Sequence, residues 1–542
     1  TIVSCLVIFL PLQLLSQKVN FTRQDTLRGS ITPERAWWDL TYYHLDITVN
    51  PSDSTINGTN TVTYRVIKPA GIMQIDLQEP LKLIKAVQNN NVLNFKREDN
   101  VYWIDLAENQ KPGKVYSIVL TYGGKPKVSM MPPWSGGITW ERDKSGLPFI
   151  ASSCQGDGAS LWWPCKDHMY DEPDSMLISV NVPGNLMNVS NGRLRSIVKQ
   201  KNNTKTYNWF VANPINNYGV NINIGDYTHF SEIYNGEKGS LDCDYYVLKE
   251  DLERAKLQFR QAPMMLAAFE HWFGPYPFYE DGYKLVEAPY LGMEHQSSVT
   301  YGNGFKNGYH GTDVSNTGWG FKFDFIIIHE SAHEWFANNI TYEDIADMWV
   351  HESFGNYAEN LYVEYYFGRE AGSEYVLGTR ANILNDIPII GPYNVNRKGS
   401  HDMYYKGGNM LHTLRQIIND DEKWRSILRG LNKDFYHQVV KGEQIENYLS
   451  EKTGINLKPF FDQYLRDIRI PVFEYFVKGN NLTFRWNNCV PEFDMPLKIY
   501  FSGKEKAVNP KTGFTTIKLD VDSALIKVDA GYYVAVLNLT GK

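Results

Sequence analysis

Apolar and polar residues alternate with a period of two along the first part of the chain, from Trp37 to about Thr228. The clearest run has apolar side chains at every second position: Tyr43, Leu45, Ile47 and Val49. Alternation of this kind sends successive side chains to opposite faces of a strand. Turns rich in Gly and Asn, at 57–58, 123–124 and 191–192, separate the runs. The pattern predicts an all-β domain over residues 30–235.

From about Leu248 the spacing of apolar residues changes to the longer period of a helix. Helical spacing is found in six windows: 252–259, 264–272, 349–366, 424–434, 444–451 and 459–464. Another run, 321–328, is apolar nearly all round and predicts a helix that is buried on every side. Together these windows predict a mainly helical domain over residues 236–466.

Alternation returns beyond Ile470. Five short runs carry it: 473–477, 482–486, 497–501, 515–519 and 532–537. Short strands at this spacing predict a small β-sandwich over residues 467–542. The whole chain is therefore predicted to be a multidomain α+β protein.

Residues 1–17 form a separate apolar stretch that turns polar at Ser16. The stretch is broken by Pro11 and is shorter than the roughly 20 residues that a membrane helix needs. It is typical of a signal peptide with a truncated start, and it predicts export to the periplasm, the medium or the cell surface. A buried N-terminal element and a retained anchor are the alternatives. No transmembrane span is predicted elsewhere.

Composition narrows the class of protein. The chain has 542 residues, 43% of them apolar, so at about 150 residues per domain it has enough length for three or four domains. Its formal charge of −7 comes from 54 basic and 61 acidic residues without a long basic run, so no nucleic-acid partner is predicted. Nothing in the composition indicates an oligomeric state.

Four cysteines follow the predicted signal segment: Cys154, Cys165, Cys243 and Cys489. An even number in an exported protein permits disulfides, but spacing this wide specifies no pair. Buried free thiols are an equally good interpretation.

The candidate chemistry begins with H-E-S-A-H, which places His329 and His333 one helical turn apart, and with Glu352, eighteen residues beyond His333. A helix advances about 100° per residue, so the two imidazoles converge on one point. Catalytic zinc sites use three protein ligands, such as two His and one Glu, and leave a fourth position for water. The motif predicts one Zn²⁺ per chain, bound by His329, His333 and Glu352. Two ordinary helix histidines are the alternative, but buried imidazoles need partners and a metal supplies one.

Glu330 follows His329 directly, so its carboxylate can reach a zinc-bound water without being a ligand. Zinc lowers the pKa of such a water to about 7, and a neighbouring carboxylate can take its proton during attack on a carbonyl. Glu330 is therefore predicted to be the general base of an amide hydrolysis.

Two further segments stand on either side of the zinc motif: P-Y-L-G-M-E-H-Q at 289–296 and M-Y-Y-K-G-G at 403–408. In this order, the three segments resemble the M1 family of zinc aminopeptidases, the gluzincin group that includes aminopeptidase N and leukotriene A4 hydrolase. The resemblance covers the chain after the signal segment. It implies an N-terminal β saddle domain, a thermolysin-like, mainly helical catalytic domain and a small C-terminal β-sandwich.

The resemblance also implies roles for individual residues. Glu294 matches the glutamate that binds the free α-amine of the substrate, which makes such an enzyme an exopeptidase. Gly292 and Met293 match residues that line the first side-chain pocket and bind the peptide backbone. Tyr404 matches the tyrosine that donates a hydrogen bond to the oxyanion, and Gln155 matches a glutamine that reaches the amino end from the N-terminal domain.

Asp347 and Glu359 are further candidates, because a carboxylate behind a ligand can orient it. Helix caps or solvated helix faces are equally good interpretations of both residues. The chain also departs from the family pattern: Leu291 stands where Gly is usual, His295 where Asn is usual, and His-Glu-Ser at 351–353 replaces Asn-Glu-Gly. These changes remove neither a ligand nor the base, but they leave the shape of the first pocket open.

The sequence thus predicts a zinc metallo-aminopeptidase that acts on peptides with a free N-terminus. A thermolysin-like endopeptidase would share the zinc helix, but it has no use for Glu294. A non-catalytic peptide-binding protein on the same fold is the third candidate, and the intact ligands and base argue against it.

Overall fold

The computed structural model describes residues 20–107, 110–519 and 525–540. The predicted signal segment, 1–17, lies outside the described residues. In the part that is described, every helix is too short or too polar to cross a membrane.

The N-terminal region begins with two short helices, α1 (Arg23–Gly29) and α2 (Pro33–Ala36), and continues with strands and two 3₁₀ turns, Ala159–Leu161 and Asn217–Gly219. Strands β1 to β15 are Trp38–Asn50, Thr55–Val66, Ile72–Asp76, Lys82–Gln88, Asn91–Val92, Phe95–Glu98, Val101–Asp105, Val115–Gly124, Gly137–Arg142, Pro148–Ser153, Ser175–Pro183, Met187–Val189, Arg193–Lys199, Thr204–Val211 and Asn223–Gly225.

These strands form three sheets within the described residues. The largest has the order β13-β14-β11-β1-β2-β8-β4-β5, and smaller sheets have the orders β12-β15-β10-β9 and β3-β7-β6. Strand β1 runs antiparallel to β2 and parallel to β11. Its alternate residues Tyr43, Leu45, Ile47 and Val49 are buried, which confirms the predicted alternation.

The middle of the chain combines helices with short strands. Strands β16 to β22 are Tyr227–Gly236, Gly239–Leu248, Tyr283–Glu287, Gly292–Met293, Val299–Tyr301, Ile340–Tyr342 and Gln438–Val440. Helices α3 to α11 are Leu252–Gln258, Gln261–Phe273, Phe325–Ala332, Trp349–Phe367, Arg369–Gly378, Tyr405–Ile418, Asp421–Asp434, Gly442–Thr453 and Lys458–Leu465. All six helical windows read from the sequence fall on helices in this set.

Two details differ from the sequence-based expectation. The order β16-β17-β18-β20-β19 forms one sheet, so the predicted domain boundary at 235/236 falls inside the β16–β17 hairpin. The predicted all-round apolar helix over 321–328 is wrong at its start, because Phe321 lies in a 3₁₀ turn and is 53% exposed. Helix α5 begins only at Phe325, where the Asp324 carboxylate accepts hydrogen bonds from the backbone N–H groups of Ile326 and Ile327.

The C-terminal region returns to strands. Strands β23 to β29 are Val472–Lys478, Asn481–Asn487, Leu497–Phe501, Lys504–Val508, Thr515–Lys518, Lys527–Val528 and Ala535–Asn538. They form two sheets, with the orders β27-β24-β23-β29 and β26-β25-β28. Buried residues of both sheets, such as Phe473 and Ile499, belong to the same hydrophobic cluster as the helical region.

A second hydrophobic cluster fills the N-terminal region. It also takes in Tyr290 and Met293, which lie between β18 and β20 in the middle of the chain. The two clusters therefore meet near residues 290–293. All four cysteines of the described part are free thiols.

Candidate metal centre and active site

Helices α5 and α6 bring the three predicted zinc ligands together. His329 lies in α5, His333 caps its C-terminus, and Glu352 lies in the first turn of α6. Glu352 Oε2 is 3.4 Å from His333 Nε2 and 3.8 Å from His329 Nε2. One ligand atom from each residue falls within 4.8 Å of the other two, and all three side chains are buried.

The opposite nitrogen of each histidine ring is held by a hydrogen-bond acceptor. His329 Nδ1 lies 2.8 Å from Glu359 Oε1, and His333 Nδ1 lies 2.9 Å from the carbonyl oxygen of Phe336. That carbonyl is accessible because the chain leaves helical geometry at Phe336 and Ala337. When Nδ1 donates a proton to such a partner, Nε2 carries the lone pair. Nε2 of each ring therefore faces Glu352, and it would offer its lone pair to a cation that displaces the proton from this position.

This arrangement fits a cation. Two imidazole lone pairs and a carboxylate oxygen converge, and Glu352 Oε2 has no hydrogen-bond partner among the described residues. Unpaired buried acceptors are costly unless a proton or a metal ion lies between them. Two imidazoles and a carboxylate are ligands that zinc accepts in tetrahedral catalytic sites. His329, His333 and Glu352 are thus the residues that would hold zinc.

The charges of these groups support the same conclusion. Burial opposes a charge on His333, but the Glu352 carboxylate raises the pKa of this histidine to about 10. Burial also opposes the ionisation of Glu352, but the neighbouring His333 lowers the pKa of the Glu352 carboxyl to about 2. The pocket thus favours a positive charge between these side chains.

Glu330 lies beside the ligands and lines the same cavity. Burial raises the pKa of its carboxyl to about 7. Strand β19 passes so close to this residue that a Cβ on Gly292 would lie 2.6 Å from Ile326 Cγ2 and 3.2 Å from Glu330 Oε1. Gly292 therefore lets the segment that carries Met293 approach helix α5.

The Glu294 carboxylate lies next to this centre and is fully buried. Its Oε1 accepts hydrogen bonds from Gln155 Nε2 at 2.5 Å and from the Tyr218 hydroxyl at 3.0 Å. Gln155 Nε2 is also 3.2 Å from Glu352 Oε1, so one amide bridges the two carboxylates. Burial raises the pKa of Glu294. Sequence reasoning missed Tyr218, because no motif singles it out among 35 tyrosines.

Tyr404 stands immediately before helix α8. Its ring stacks between those of His329, with centroids 6.0 Å apart, and His401, with centroids 6.2 Å apart. Ser353 of α6 donates a hydrogen bond to the carbonyl oxygen of Met403 at 2.7 Å, which fixes the residue preceding Tyr404. Burial raises the pKa of the Tyr404 phenol well above its usual value, and the carboxylates of Glu352 and Glu294 raise it further. The phenol therefore remains a hydrogen-bond donor at neutral pH.

A cavity of about 530 Å³ joins these groups. The sequence-predicted site residues all line it: Gln155, Gly292, Met293, Glu294, His329, Glu330, His333, Glu352 and Tyr404. Pro133, Trp134 and His401 also line it, and sequence reasoning missed them.

The departures from the family pattern have different surroundings. Leu291 lines the cavity. His295 is instead buried in the interior, where its Nδ1 lies 2.7 Å from the Thr300 hydroxyl. His351 is also buried, and its Nε2 accepts a hydrogen bond from the backbone N–H of Tyr342. Of the two single-residue changes in the 289–296 segment, only Leu291 alters the wall of the cavity.

The two candidates for orienting the ligands behave differently. Glu359 contacts His329 and also accepts hydrogen bonds from Asn356 and Tyr375. Asp347 does not orient a ligand histidine and instead fits the alternative interpretation, a helix cap. Its carboxylate accepts from the Tyr393 hydroxyl and from the backbone N–H of Gly442 at the start of α10, because α10 rather than the ligand histidines packs against it.

The comparison with protein families agrees with this geometry. Residues 259–464, which contain both zinc-ligand helices and Tyr404, match the model of the peptidase family M1 domain. This part of the chain is a peptidase family M1 domain.

Known relatives include endoplasmic reticulum aminopeptidase 1 of Rattus norvegicus, 21% identical over 431 residues, which are 75% of this chain and 45% of the relative. Leucyl aminopeptidase of Saccharolobus solfataricus is 21% identical over 421 residues, 74% of this chain and 50% of the relative. This chain thus spans about half the length of these relatives.

Among solved structures, the M1 zinc metallopeptidase of Deinococcus radiodurans, in a mutant form bound to a Tyr-Ser-Ala substrate, has a TM-score of 0.66. It is 21% identical, and the match covers 81% of this chain and 96% of that one. A two-domain M1 zinc metallopeptidase bound to L-tryptophan has a TM-score of 0.69 at 21% identity, over 82% and 98% of the two chains. The chain shares the fold of both.

Proposed function

We propose that this protein is a zinc-dependent aminopeptidase that removes the N-terminal residue of peptides. The observation that carries the proposal is the Glu294 carboxylate, buried beside the predicted zinc ligands and held by Gln155 and Tyr218. A buried carboxylate at this position recognises an ammonium group. A peptide amine bound there presents its first amide bond to the metal.

Zinc, when bound by His329, His333 and Glu352, supplies Lewis acidity for the scissile carbonyl and acidifies a water molecule. Glu330 then takes the proton of the attacking water and delivers it to the nitrogen of the leaving peptide. A general base works best when its pKa is near the working pH, and burial moves Glu330 in that direction.

Tyr404 donates its phenolic proton in a hydrogen bond to the oxygen that becomes negative during attack. Its ring is fixed by stacking between His329 and His401, so the donor is oriented before the substrate arrives. Gln155 holds Glu294 from the N-terminal region, and Met293 with Gly292 forms the wall beside the first residue of the substrate.

The domain scheme belongs to the same proposal: an N-terminal β saddle domain, a thermolysin-like catalytic domain and a C-terminal β-sandwich. Export by residues 1–17 is proposed on the apolar pattern of that segment alone. N-terminal sequencing of the protein purified from its own cells would detect cleavage near Ser16, whereas an intact N-terminus would contradict a cleaved signal.

The activity is tested with a panel of fluorogenic aminoacyl amides, assayed with and without a chelator and again after zinc is restored. We expect hydrolysis that the chelator abolishes and zinc recovers. The same amides with an acetylated amine should resist hydrolysis, because Glu294 then has no ammonium to bind. Cleavage of blocked peptides at internal bonds would instead identify an endopeptidase.

A Glu330→Gln variant separates binding from catalysis. It should keep its zinc, measured by elemental analysis, and lose turnover. Near-normal turnover in this variant would contradict the mechanism. If the unmodified protein and the variant both bound zinc and neither hydrolysed a substrate, a peptide-binding protein would be favoured.

A further inference from the structure

An exposed apolar segment ends at Pro133 and Trp134, which line the active-site cavity. In the segment 128–134, called the apolar lip below, Val128 is 49% exposed, Met130 82%, Met131 65% and Trp134 65%. Single exposed apolar residues are ordinary on protein surfaces, but a cluster of them marks a binding surface.

Hydrogen bonds to Ser135 hold the backbone of the apolar lip in a turn. Ser135 Oγ accepts hydrogen bonds from the backbone N–H groups of Met130, at 3.0 Å, and Met131, at 2.7 Å. The Ser135 backbone N–H donates in return to the Met131 carbonyl at 2.9 Å. These bonds close a tight turn in which both methionine side chains are exposed to solvent.

The apolar lip is attached to the part of the site that holds the substrate amine. The backbone N–H of Gly136 donates to Asp157 Oδ2 at 2.7 Å, two residues beyond Gln155. Gln155 itself bonds to Glu294, the proposed amine anchor. Trp134 lines the same cavity as Gln155 and Glu294. Pro133 and Trp134 thus form part of the cavity wall, and the rest of the lip adjoins them outside the cavity lining.

We propose that the apolar lip forms the outer wall of the pocket for the side chain of the substrate's N-terminal residue, and that it selects large apolar side chains, aromatic ones above all. This inference rests on the proposed aminopeptidase function. An indole ring offers a flat apolar face against which another ring can pack, and methionine side chains adapt to differently shaped partners. Leu291 and Met293 provide apolar surface deeper in the same cavity.

Small side chains would not reach the lip. An alanine at the substrate's N-terminus extends only one carbon beyond its Cα, so it leaves Trp134 in water. A phenylalanine can cover Trp134, and removal of that apolar area from water favours its binding. The lip should thus contribute to the discrimination between these two residues and not to the chemistry.

The first test compares kcat/KM for phenylalanyl and alanyl coumarylamides in the zinc-loaded enzyme. Trp134→Ala should lower the ratio of the two values about tenfold, mainly through KM for the phenylalanyl substrate. Trp134→Phe should keep most of the ratio, since a ring remains. Met131→Ala provides a second variant, and Ile84→Ala, an equally exposed side chain of the N-terminal region outside the cavity lining, serves as the control.

The second test measures binding without turnover. In the Glu330→Gln enzyme, calorimetric titration with L-phenylalaninamide and L-alaninamide should show tighter binding of the phenyl compound, and Trp134→Ala should remove that difference. This titration distinguishes a failure of the proposed aminopeptidase function from a failure of the proposed role of the apolar lip. If the unmodified enzyme hydrolysed no amide, the aminopeptidase function would fail, while a Trp134-dependent preference in the titration would still support the lip.

An unchanged ratio in both Trp134→Ala and Met131→Ala would overturn the inference. Co-sedimentation on phosphatidylcholine vesicles that Met130→Asp abolishes would then identify the lip as a membrane-contacting surface.

Discussion

At the scale of single residues, the hydrogen bonds behind the two histidines decide which nitrogen meets the metal. His329 and His333 use Nδ1 for Glu359 and for the Phe336 carbonyl, and both present Nε2 to Glu352. A ring without its outer partner can rotate or change tautomer, so it binds a metal less well.

Glu359→Ala should therefore lower zinc affinity about 10- to 100-fold, as loss of an outer hydrogen bond does in other zinc sites. Added zinc should recover the activity of the variant. Zinc affinity is measured by competition with a metallochromic chelator. Asp347→Asn is the matched control, since Asp347 contacts Tyr393 and Gly442 and not the ligands. Equal zinc affinities in the Glu359 variant and the control would show that Glu359 does not orient His329.

Tyr404→Phe should lower kcat about 10²- to 10³-fold, the usual loss when one oxyanion donor is removed. Its zinc content should not change, because the phenol is not a ligand. The ring and its stacking with His329 and His401 are retained, so KM should change little. Steady-state kinetics and elemental analysis check both statements. In Tyr405→Phe, the neighbouring tyrosine, kcat should stay close to that of the unmodified enzyme, and a comparable fall there would remove the special role of Tyr404.

Some of these site residues could be predicted from local sequence spacing, and others could not. His329, Glu330 and His333 lie within one helical turn, so local spacing was sufficient to group them. The contact of Gln155 with Glu294 joins residues far apart in the chain, and only family resemblance indicated it. Tyr218 bonds to the same carboxylate without any motif of its own. Such contacts depend on tertiary packing, which hydrophobic periodicity does not report.

At the scale of secondary-structure elements, the metal site depends on the end of helix α5 at Ala332, with His333 as its C-cap. The non-helical backbone at Phe336 and Ala337 turns the chain away and frees the carbonyl that His333 uses. Helix α6 packs across this end with Gly355 against the His333 ring. Periodicity predicted the existence of both helices, but not the break after His333 or the start of α5 at Phe325, because caps and kinks depend on single hydrogen bonds.

Gly355→Ala tests this packing. Alanine in place of glycine ordinarily stabilises a helix by about 1 kcal/mol. Here the new Cβ would lie 2.8 Å from His333 Cε1, so the ring must shift. We expect both a lower Tm and weaker zinc binding. Gly372→Ala in α7 is the control: its Cβ would meet the side chain of Glu364, so Tm should fall while zinc affinity stays unchanged. Unaltered zinc binding in Gly355→Ala would contradict the proposed contact.

At the scale of the whole molecule, the site lies where two hydrophobic clusters meet. The zinc ligands belong to helices of the cluster that also includes the C-terminal sheets, whereas Tyr290 and Met293 belong to the N-terminal cluster. The alternating pattern predicted both β regions, but it could not show that the β16–β17 hairpin joins the central sheet, since strand pairing between distant segments leaves no mark on local periodicity.

Zinc should stabilise the whole folded chain, because its ligands come from two helices that meet only in the native state. A ligand present at a thousand times its Kd adds about 4 kcal/mol to the free energy of unfolding. For a chain of 542 residues that unfolds as one unit, chelation should then lower Tm by about 3 to 4 °C, as followed by differential scanning calorimetry. Glu330→Gln should show the same shift, since it keeps the ligands. His333→Ala should start from the lower Tm and respond little to the chelator, because its site is already broken. A chelator response in His333→Ala as large as that of the unmodified enzyme would mean that the stabilising ion binds elsewhere.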